Sequence, residues 1–331
     1  VTDSPDDARD AHSGVDPAPG PLQDLLETLD LEELGSAKVS VQPTQTSGMI
    51  EVPETFAEDI TLFRGKSQKM PHGRVFGGQV LAQGVMACGR TITESNGGTQ
   101  RRLHSIHAYF MRPGDDTQPI TFSVERMRDG RSFSTRRVHA IQHGAPILSM
   151  SASFQDPAGG MDHQDEMPQV PAPLEVPSLS DIYGDLDDPR ARHIAWSRPV
   201  ELRHVEGNLF VMPGHERVAH NNVWMRAIGE LPDDPLIHDA VLAYASDYSL
   251  LDAVLRRHGR AWSHAGLRVA SLDHAMWFHR PARADDWILY AQQSPSAQGG
   301  RGLAIGRMFT ADGTLVATVA QEGMMRLKDL P

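Results

Sequence analysis

The sequence carries one α+β pattern twice, and that repeat restricts the folds open to it more than any other feature. Ala108-Tyr109-Phe110-Met111-Arg112-Pro113 in the first half aligns with Met276-Trp277-Phe278-His279-Arg280-Pro281 in the second, aromatic over aromatic and Arg-Pro over Arg-Pro. Gly130-Arg131 likewise aligns with Gly300-Arg301, and Pro146-Ile147-Leu148-Ser149 with Thr314-Leu315-Val316-Ala317. In the first half an apolar helix pattern over 79–89 precedes strand-like runs at 103–111, 120–127, 132–142 and 147–154. In the second, runs at 200–205 and 222–228 lead to a helix pattern over 238–257, then runs at 267–279, 287–292, 303–309 and 315–321. A helix that is apolar on most sides stays soluble only if something covers it, and a strongly curved antiparallel sheet wrapped around each helix does so. Two copies of such a unit are the expected fold.

The flanks read differently. Residues 1–21 are rich in Asp, Pro and Gly and nearly free of large apolar side chains, the composition of a disordered acidic tail. Leu22, Leu25, Leu26, Leu29 and Leu34 form a helical stripe that Gly35 would end. Strand fragments broken by Pro43, Gly48 and Pro53 then suggest a hairpin-like insert over 36–61. The expected organisation is a tail (1–21), an N-terminal helix and insert (22–61), a first repeat (62–155), a Pro-rich linker (156–195) and a second repeat (196–328).

Charge matters here only through its location. Of the formal net charge of −12, residues 1–34 hold ten acids against one Arg, which leaves about −3 for the rest. No basic face or aromatic stacking motif suits nucleic acid, and no run of eighteen apolar residues suits a membrane span. No basic start followed by an apolar stretch appears and the last residues match no targeting address, so a cytoplasmic location is expected. The single cysteine, Cys88, lies in the apolar run Val85-Met86-Ala87-Cys88 and reads as a small core residue rather than a nucleophile.

Motifs for serine-hydrolase, zinc and nucleotide chemistry are missing, and the 16 histidines lack close ligand spacing, so neither metal nor cofactor is expected. Gly300-Arg301-Gly302 with Gly306 imitates a dinucleotide loop, but an alternating strand follows it where that motif needs a helix. Three polar residues of the second repeat fall where the fold would bury them. Asp247 lies among Ala243, Tyr244, Leu250 and Leu251 of the helix pattern. Ser271 shares a strand face with Asp273, Ala275 and Trp277, and Gln321 shares one with Leu315, Ala317 and Val319. A buried carboxylate is costly unless it is paired, hydrogen-bonded or open to a wet cleft, so Asp247 is either a structural cap or ion pair, or a functional acid. A carboxylate that takes a proton from water, with a hydroxyl and an amide to hold that water, suits hydrolysis without a metal or a covalent nucleophile. The two glycines before the first helix, Gly77-Gly78, leave its N–H groups approachable by a ligand oxygen or serve close packing.

The motifs Leu62-Phe63-Arg64-Gly65, Val75-Phe76-Gly77-Gly78-Gln79, His107 to Asp115, Tyr244-Ala245-Ser246-Asp247, Asp273 to Pro281 and Gln321-Glu322-Gly323 resemble the bacterial acyl-CoA thioesterase II (TesB) family, from about Leu62 to Arg326. The resemblance implies a double hotdog fold, acyl-CoA as substrate, and hydrolysis to fatty acid and CoA. It also implies that Asp247, Ser271 and Gln321 jointly activate water and that the first copy is degenerate. Exposed faces or edges of the sheets lead to the expectation of a homo-oligomer, dimer or tetramer. Two departures stand out: Ser271 replaces a common Thr, and residues 36–61 intervene where the family usually has a few. A hotdog hydratase or dehydratase, or a non-catalytic acyl-CoA binder, is the alternative.

Overall fold

Residues 20–41, 56–93 and 100–328 are described by the structure, a computed structural model. The acidic tail up to residue 19, and 42–55 of the expected insert, lie outside them. Helix α1 (Pro21–Leu29) starts with Pro in its first turn and buries Leu25 and Leu29. It ends five residues before the expected Leu34. The Asp30 N–H closes onto the Leu26 carbonyl at 3.0 Å, Leu31 turns into the core, and Glu32 already pairs across to Arg64. Strands β1 (Glu32–Val41) and β2 (Phe56–Gly65) form an antiparallel pair, so both described ends of the 36–61 segment belong to the sheet.

The rest of the first half is α2 (Gly77–Gly89), β3 (Arg102–Phe110), β4 (Ile120–Asp129), β5 (Phe133–Gln142) and β6 (Ala145–Gln155). The second half contains α4 (Pro189–Trp196), β7 (Val200–His204), β8 (His220–Ala227), α5 (Pro235–Ser246), α6 (Asp252–His258), β9 (Leu267–Ser271), β10 (Asp273–Phe278), β11 (Ile288–Gln298), β12 (Arg301–Thr310) and β13 (Leu315–Leu327). Between the halves, α3 (Leu179–Tyr183) precedes α4. All strands join one sheet in the order β1-β2-β4-β5-β6-β3-β10-β13-β12-β11-β8-β7, with β9 also on β13. The order is the same read from either edge, so α1 and β1 occupy in the first half the places of α4 and β7 in the second. The segment expected to be an insert therefore contributes the mate of a regular strand.

The halves meet at β3 and β10, which pair antiparallel about the His107–Ala275 pair, with Ile106 opposite Met276 and Ala108 opposite His274. This register is symmetric under the sequence repeat and sets a pseudo-two-fold axis there. Corresponding turns agree as well: Arg112 Nη1 donates to the Pro146 carbonyl and Arg280 Nη1 to that of Leu315, each at 2.9 Å. Pro146 thus matches Leu315, one residue beyond the match read from sequence.

Helices α2 and α5 lie antiparallel within the curved sheet and are buried nearly throughout. A Cβ on Gly78 would sit 2.3 Å from the Tyr244 carbonyl oxygen, and one on Gly89 2.3 Å from a Leu236 methyl. Asp234 caps α5 by accepting from Leu236 N–H at 2.9 Å, with Pro235 at its first position. The single helix expected over 238–257 is two, broken after Ser246. Ser246, Asp247 and Ser249 are weak helix formers because their side chains compete for backbone partners. Ser246 Oγ contacts the Ala243 carbonyl at 2.8 Å, Tyr248 N–H closes back to Ala245, and Ser249 Oγ accepts from Gln292 on the sheet at 2.7 Å.

Most of 156–172 has no regular structure, but the segment is not loose. Met167 and Val170 pack on Trp224, Leu289 and Phe309, and Trp224 Nε1 donates to the Pro171 carbonyl at 2.9 Å. It covers an apolar patch on the sheet. The helix contact can be tested directly: Gly78→Ala is expected to lower unfolding free energy by about 1–3 kcal/mol, because a backbone oxygen cannot move aside. Gly89→Ala, which meets only side-chain methyls, is expected to cost less in the same urea titration.

Candidate active site

The break in the helix delivers Asp247 to the meeting point of two helix ends. As the C-cap of α5 it lies against the N-terminus of α2, where the Gly78 N–H donates to its carboxyl group. The α5 carbonyl end disfavours an anion there and the α2 amide end favours one. A Cβ on Gly77 would come within 2.6 Å of Asp247 Oδ2, so the glycine pair makes room for the carboxylate. Of the two uses expected for these glycines, the Gly78 amide serves an oxygen of the chain itself.

Ser271 arrives by a bulge. It stands opposite Gly323, whereas Ala275 stands opposite Ala320, so one extra residue is inserted around Leu272. A bulge re-aims the side chains beside it. Ser271 consequently leaves the face of Asp273, Ala275 and Trp277, on which strict alternation placed it, and joins the inner face of His274 and Met276. Gln321 lies on the inner face of β13 with Ala317 and Val319, as alternation predicts.

The three residues converge. Gln321 Nε2 donates to Asp247 Oδ1 at 2.9 Å and to Ser271 Oγ at 2.6 Å, and Ser271 Oγ lies 3.3 Å from the same carboxylate oxygen. The orientation of the amide is imposed from behind. His274, fully buried, places Nδ1 2.9 Å from Gln321 Oε1 and Nε2 2.9 Å from Ser246 Oγ. With the amide N–H₂ turned to the carboxylate, Oε1 must accept, which assigns the proton to Nδ1. Burial pushes the His274 pKa down to about 4, so the ring is a neutral donor at physiological pH. His274 and Gly78 sit within the recognisable motifs, but polarity alone does not mark them, because one of many histidines in strands and a glycine before a helix carry no signal of burial against polarity.

Burial also pushes the Asp247 carboxyl up to about 6, against the opposing hydrogen bonds of Gln321, Ser271 and Gly78. The group is partly exposed, and it faces a cavity of about 770 Å³ lined also by Phe76, Tyr244, Tyr248, Leu251, Val269 and Ser271. Phe76 stacks on Tyr248 at 4.8 Å between ring centroids and meets Tyr244 edge-on at 5.1 Å. The corresponding place in the first half is filled. By sheet register Leu103 takes the position of Ser271, Ile106 that of His274, Ala152 that of Gln321 and Phe154 that of Gly323. Only about 20 Å³ remains there, lined by Leu103, Phe154 and Leu236 among others. Cys88 lies apart, fully buried with its thiol pushed up to about 12 by desolvation. Among the described residues no three His, Cys, Asp or Glu side chains converge as metal ligands would.

Comparison with known proteins agrees with this layout. Residues 195–324 match the family model described as acyl-CoA thioesterase, and residues 66–155 match the one described as acyl-CoA thioesterase N-terminal domain. The chain is 41% identical over 276 residues to acyl-CoA thioesterase 2 of Haemophilus influenzae, covering 82% of this chain and 94% of that one. The crystal structure of the acyl-CoA thioesterase II TesB2 from Mycobacterium marinum superposes with a TM-score of 0.69 at 39% identity, covering 92% of this chain and 99% of that one. A hot dog fold protein of unknown function from Alicyclobacillus acidocaldarius, 20% identical, has a TM-score of 0.64 over 80% of this chain and 93% of its own, which shows the fold.

Because the Asp247 pKa is raised on folding, ionising this group above about pH 6 costs stability that is not lost when both folded and unfolded states are protonated, below about pH 4. Asp247→Asn is therefore expected to be more stable than wild type by about 2 kcal/mol at pH 8. The difference should fade as pH falls through 6 towards 4, read from denaturant midpoints across that range.

Proposed function

Since the chain belongs to the acyl-CoA thioesterase II family, with two hotdog units in one polypeptide, we propose that it hydrolyses acyl-CoA to a fatty acid and CoA at the Asp247 centre. The observation that carries the reading is the Asp247–Ser271–Gln321 triangle opening onto a cavity lined by both halves, while the place equivalent to the triangle in the first half is closed by Leu103, Ala152 and Phe154.

In this mechanism water attacks the thioester carbonyl carbon and gives its proton to Asp247. The second carboxylate oxygen, away from Oδ1, and the Ser271 hydroxyl hold that water. Gln321, committed through its N–H₂ to both of them, keeps the pair aligned, and His274 keeps Gln321 from flipping. Charge developing on the carbonyl oxygen forms near the amide end of α2, whose peptide dipoles favour it. Collapse of the tetrahedral intermediate breaks the carbon–sulfur bond. The departing thiolate then takes the proton from Asp247. A serine in place of threonine keeps the hydroxyl at position 271 but not the methyl that restricts its rotamer. Here the Gln321 hydrogen bond supplies that restriction.

A base with a pKa near 6 is ionised at neutral pH yet still basic enough to accept a proton. The test is CoA release from a series of acyl chain lengths. Wild-type kcat/KM is expected to rise with pH to a plateau above about 6, and Asp247→Asn to lose about a hundredfold or more of kcat. Equal turnover by the two proteins would sink the assignment. Hydration of an enoyl-CoA without thiol release would replace hydrolysis by the hydratase alternative.

A further inference from the structure

We propose that Arg198 is an anion-recognition point in the wall of the reaction cavity, taking a phosphate or carboxylate oxygen of the substrate. The identity of that substrate rests on the thioesterase reading; the presence of an anion subsite does not.

Arg198 lies between α4 and β7 and lines the same cavity as Asp247 and Ser271. Its guanidinium carbon sits 4.6 Å from the ring centroid of Phe210 and 4.9 Å from that of Tyr248. Ring faces stabilise the positive charge but leave the in-plane N–H donors unused. Nη1 is enclosed without a hydrogen-bond partner, Nε and Nη2 make no hydrogen bond and are not enclosed, and among the described residues the guanidinium has no ion pair, so it is Nε and Nη2 that can meet an acceptor from the cavity. The acid that acts on it through space, Asp252, is engaged by Trp262 Nε1 at 2.7 Å.

Two arginines that are fully buried show how this fold treats a structural guanidinium, whereas Arg198 is half-buried. Arg136 donates to Thr91 Oγ1 and the Thr91 carbonyl, to Asp129 and to two further carbonyls. Arg256 donates to the carbonyls of Glu206 and Gly207 and to Asn221 Oδ1. Each finds several acceptors in the protein, with only Arg256 Nε left over, whereas among the described residues Arg198, the one on the cavity wall, has an acceptor at none of its nitrogens. Leaving buried donors unsatisfied is costly, and an acceptor from outside the chain removes that cost. The neighbouring lysines have acceptors already. Lys66 pairs with Asp24 at 3.0 Å and Glu27 at 2.7 Å, and Lys69 with Asp116 at 3.5 Å.

A planar fork of donors matches carboxylate and phosphate oxygens. An acyl-CoA presents such oxygens at two places: the phosphates of CoA, and the far end of the acyl group when that end carries a carboxylate. The exposed Trp196 two residues away, also on the cavity lining, places Arg198 near the mouth, but the chemistry required is the same for both sources.

The experiment compares wild type, Arg198→Met and Arg198→Lys on three substrates: decanoyl-CoA, decanoyl-pantetheine, which lacks the phosphates, and the CoA monothioester of decanedioic acid. If the group is a CoA phosphate, Arg198→Met raises KM about tenfold or more for both CoA esters and leaves the pantetheine ester unchanged. If it is the distal carboxylate, only the decanedioyl ester suffers. In either case kcat changes little and Arg198→Lys recovers part of the loss. The same KM and kcat changes on all three substrates, or none, would overturn the proposal in favour of a prop for Tyr248 and Phe210. Binding of free CoA and of decanedioate to wild type and Arg198→Met, measured by calorimetric titration, needs no turnover. A wild type that hydrolyses nothing would refute the thioesterase reading alone, and the anion subsite would then stand or fall on whether Arg198→Met weakens either titration.

Discussion

The Asp247 carboxylate lies where the carbonyl end of α5 meets the amide end of α2, and the arrangement of the site follows from holding an acid at that junction. Desolvation works against its charge, and three donors work for it: the Gly78 amide, the Gln321 side chain and, at longer range, the Ser271 hydroxyl. The balance leaves the pKa at about 6. Closer burial would keep the acid neutral, and more donors or a nearby cation would make it a poor base. The glycines of α2 are part of the same balance. Gly77 gives the carboxylate space and Gly78 lets the two helices approach until its N–H reaches the acid.

The pseudo-two-fold axis lets the same place be compared in the two copies. Both halves offer a helix end facing a bulged strand and its neighbour. The first half fills that place with Leu103, Ile106, Ala152 and Phe154; the second puts Ser271, His274, Gln321 and Gly323 there. The exchange of Phe154 for Gly323 opens space, Ser271 adds a hydroxyl beside the carboxylate, and Gln321 and His274 supply a polar chain running from Asp247 to Ser246. Buried polar groups are stable when each has a partner, and this chain is closed at its inner end by Ser246. The helix contact that positions Asp247 uses α2 of the first half, so that half is a structural part of the candidate site.

Much of this was legible in the sequence because burial conflicts with polarity at a few positions. Gln321 stood out on an apolar strand face, and Asp247 beside an apolar helix stripe, for that reason. The motif repeat located the strands, and its weakest match slipped by one residue because Pro146 and Leu315 share no side-chain feature. The bulge at Leu272 left no local mark: it exists only in the pairing with β13, so strict alternation assigned Ser271 to the wrong face. The break at Ser246-Asp247 was hidden by an apolar period that continues through it in Tyr248, Leu251 and Leu255, although three weak helix formers lie there. Pro43, Gly48 and Pro53 made the β1–β2 region look like an insertion, while the pairing of its ends across the sheet edge is a long-range property. Arg198 carries no mark in the sequence, because a lone arginine is distinguished only by acceptors that the fold withholds.

The central claim is that water, deprotonated at Asp247, attacks the thioester directly. A single turnover with enzyme in excess over decanoyl-CoA in ¹⁸O-labelled water, followed by mass spectrometry of the fatty acid and of the peptide containing Asp247, tests it. Direct attack puts one labelled oxygen in the decanoate formed in that first turnover and none in the peptide. Unlabelled decanoate together with label in Asp247 would contradict it, because the carboxylate would then have attacked the thioester itself.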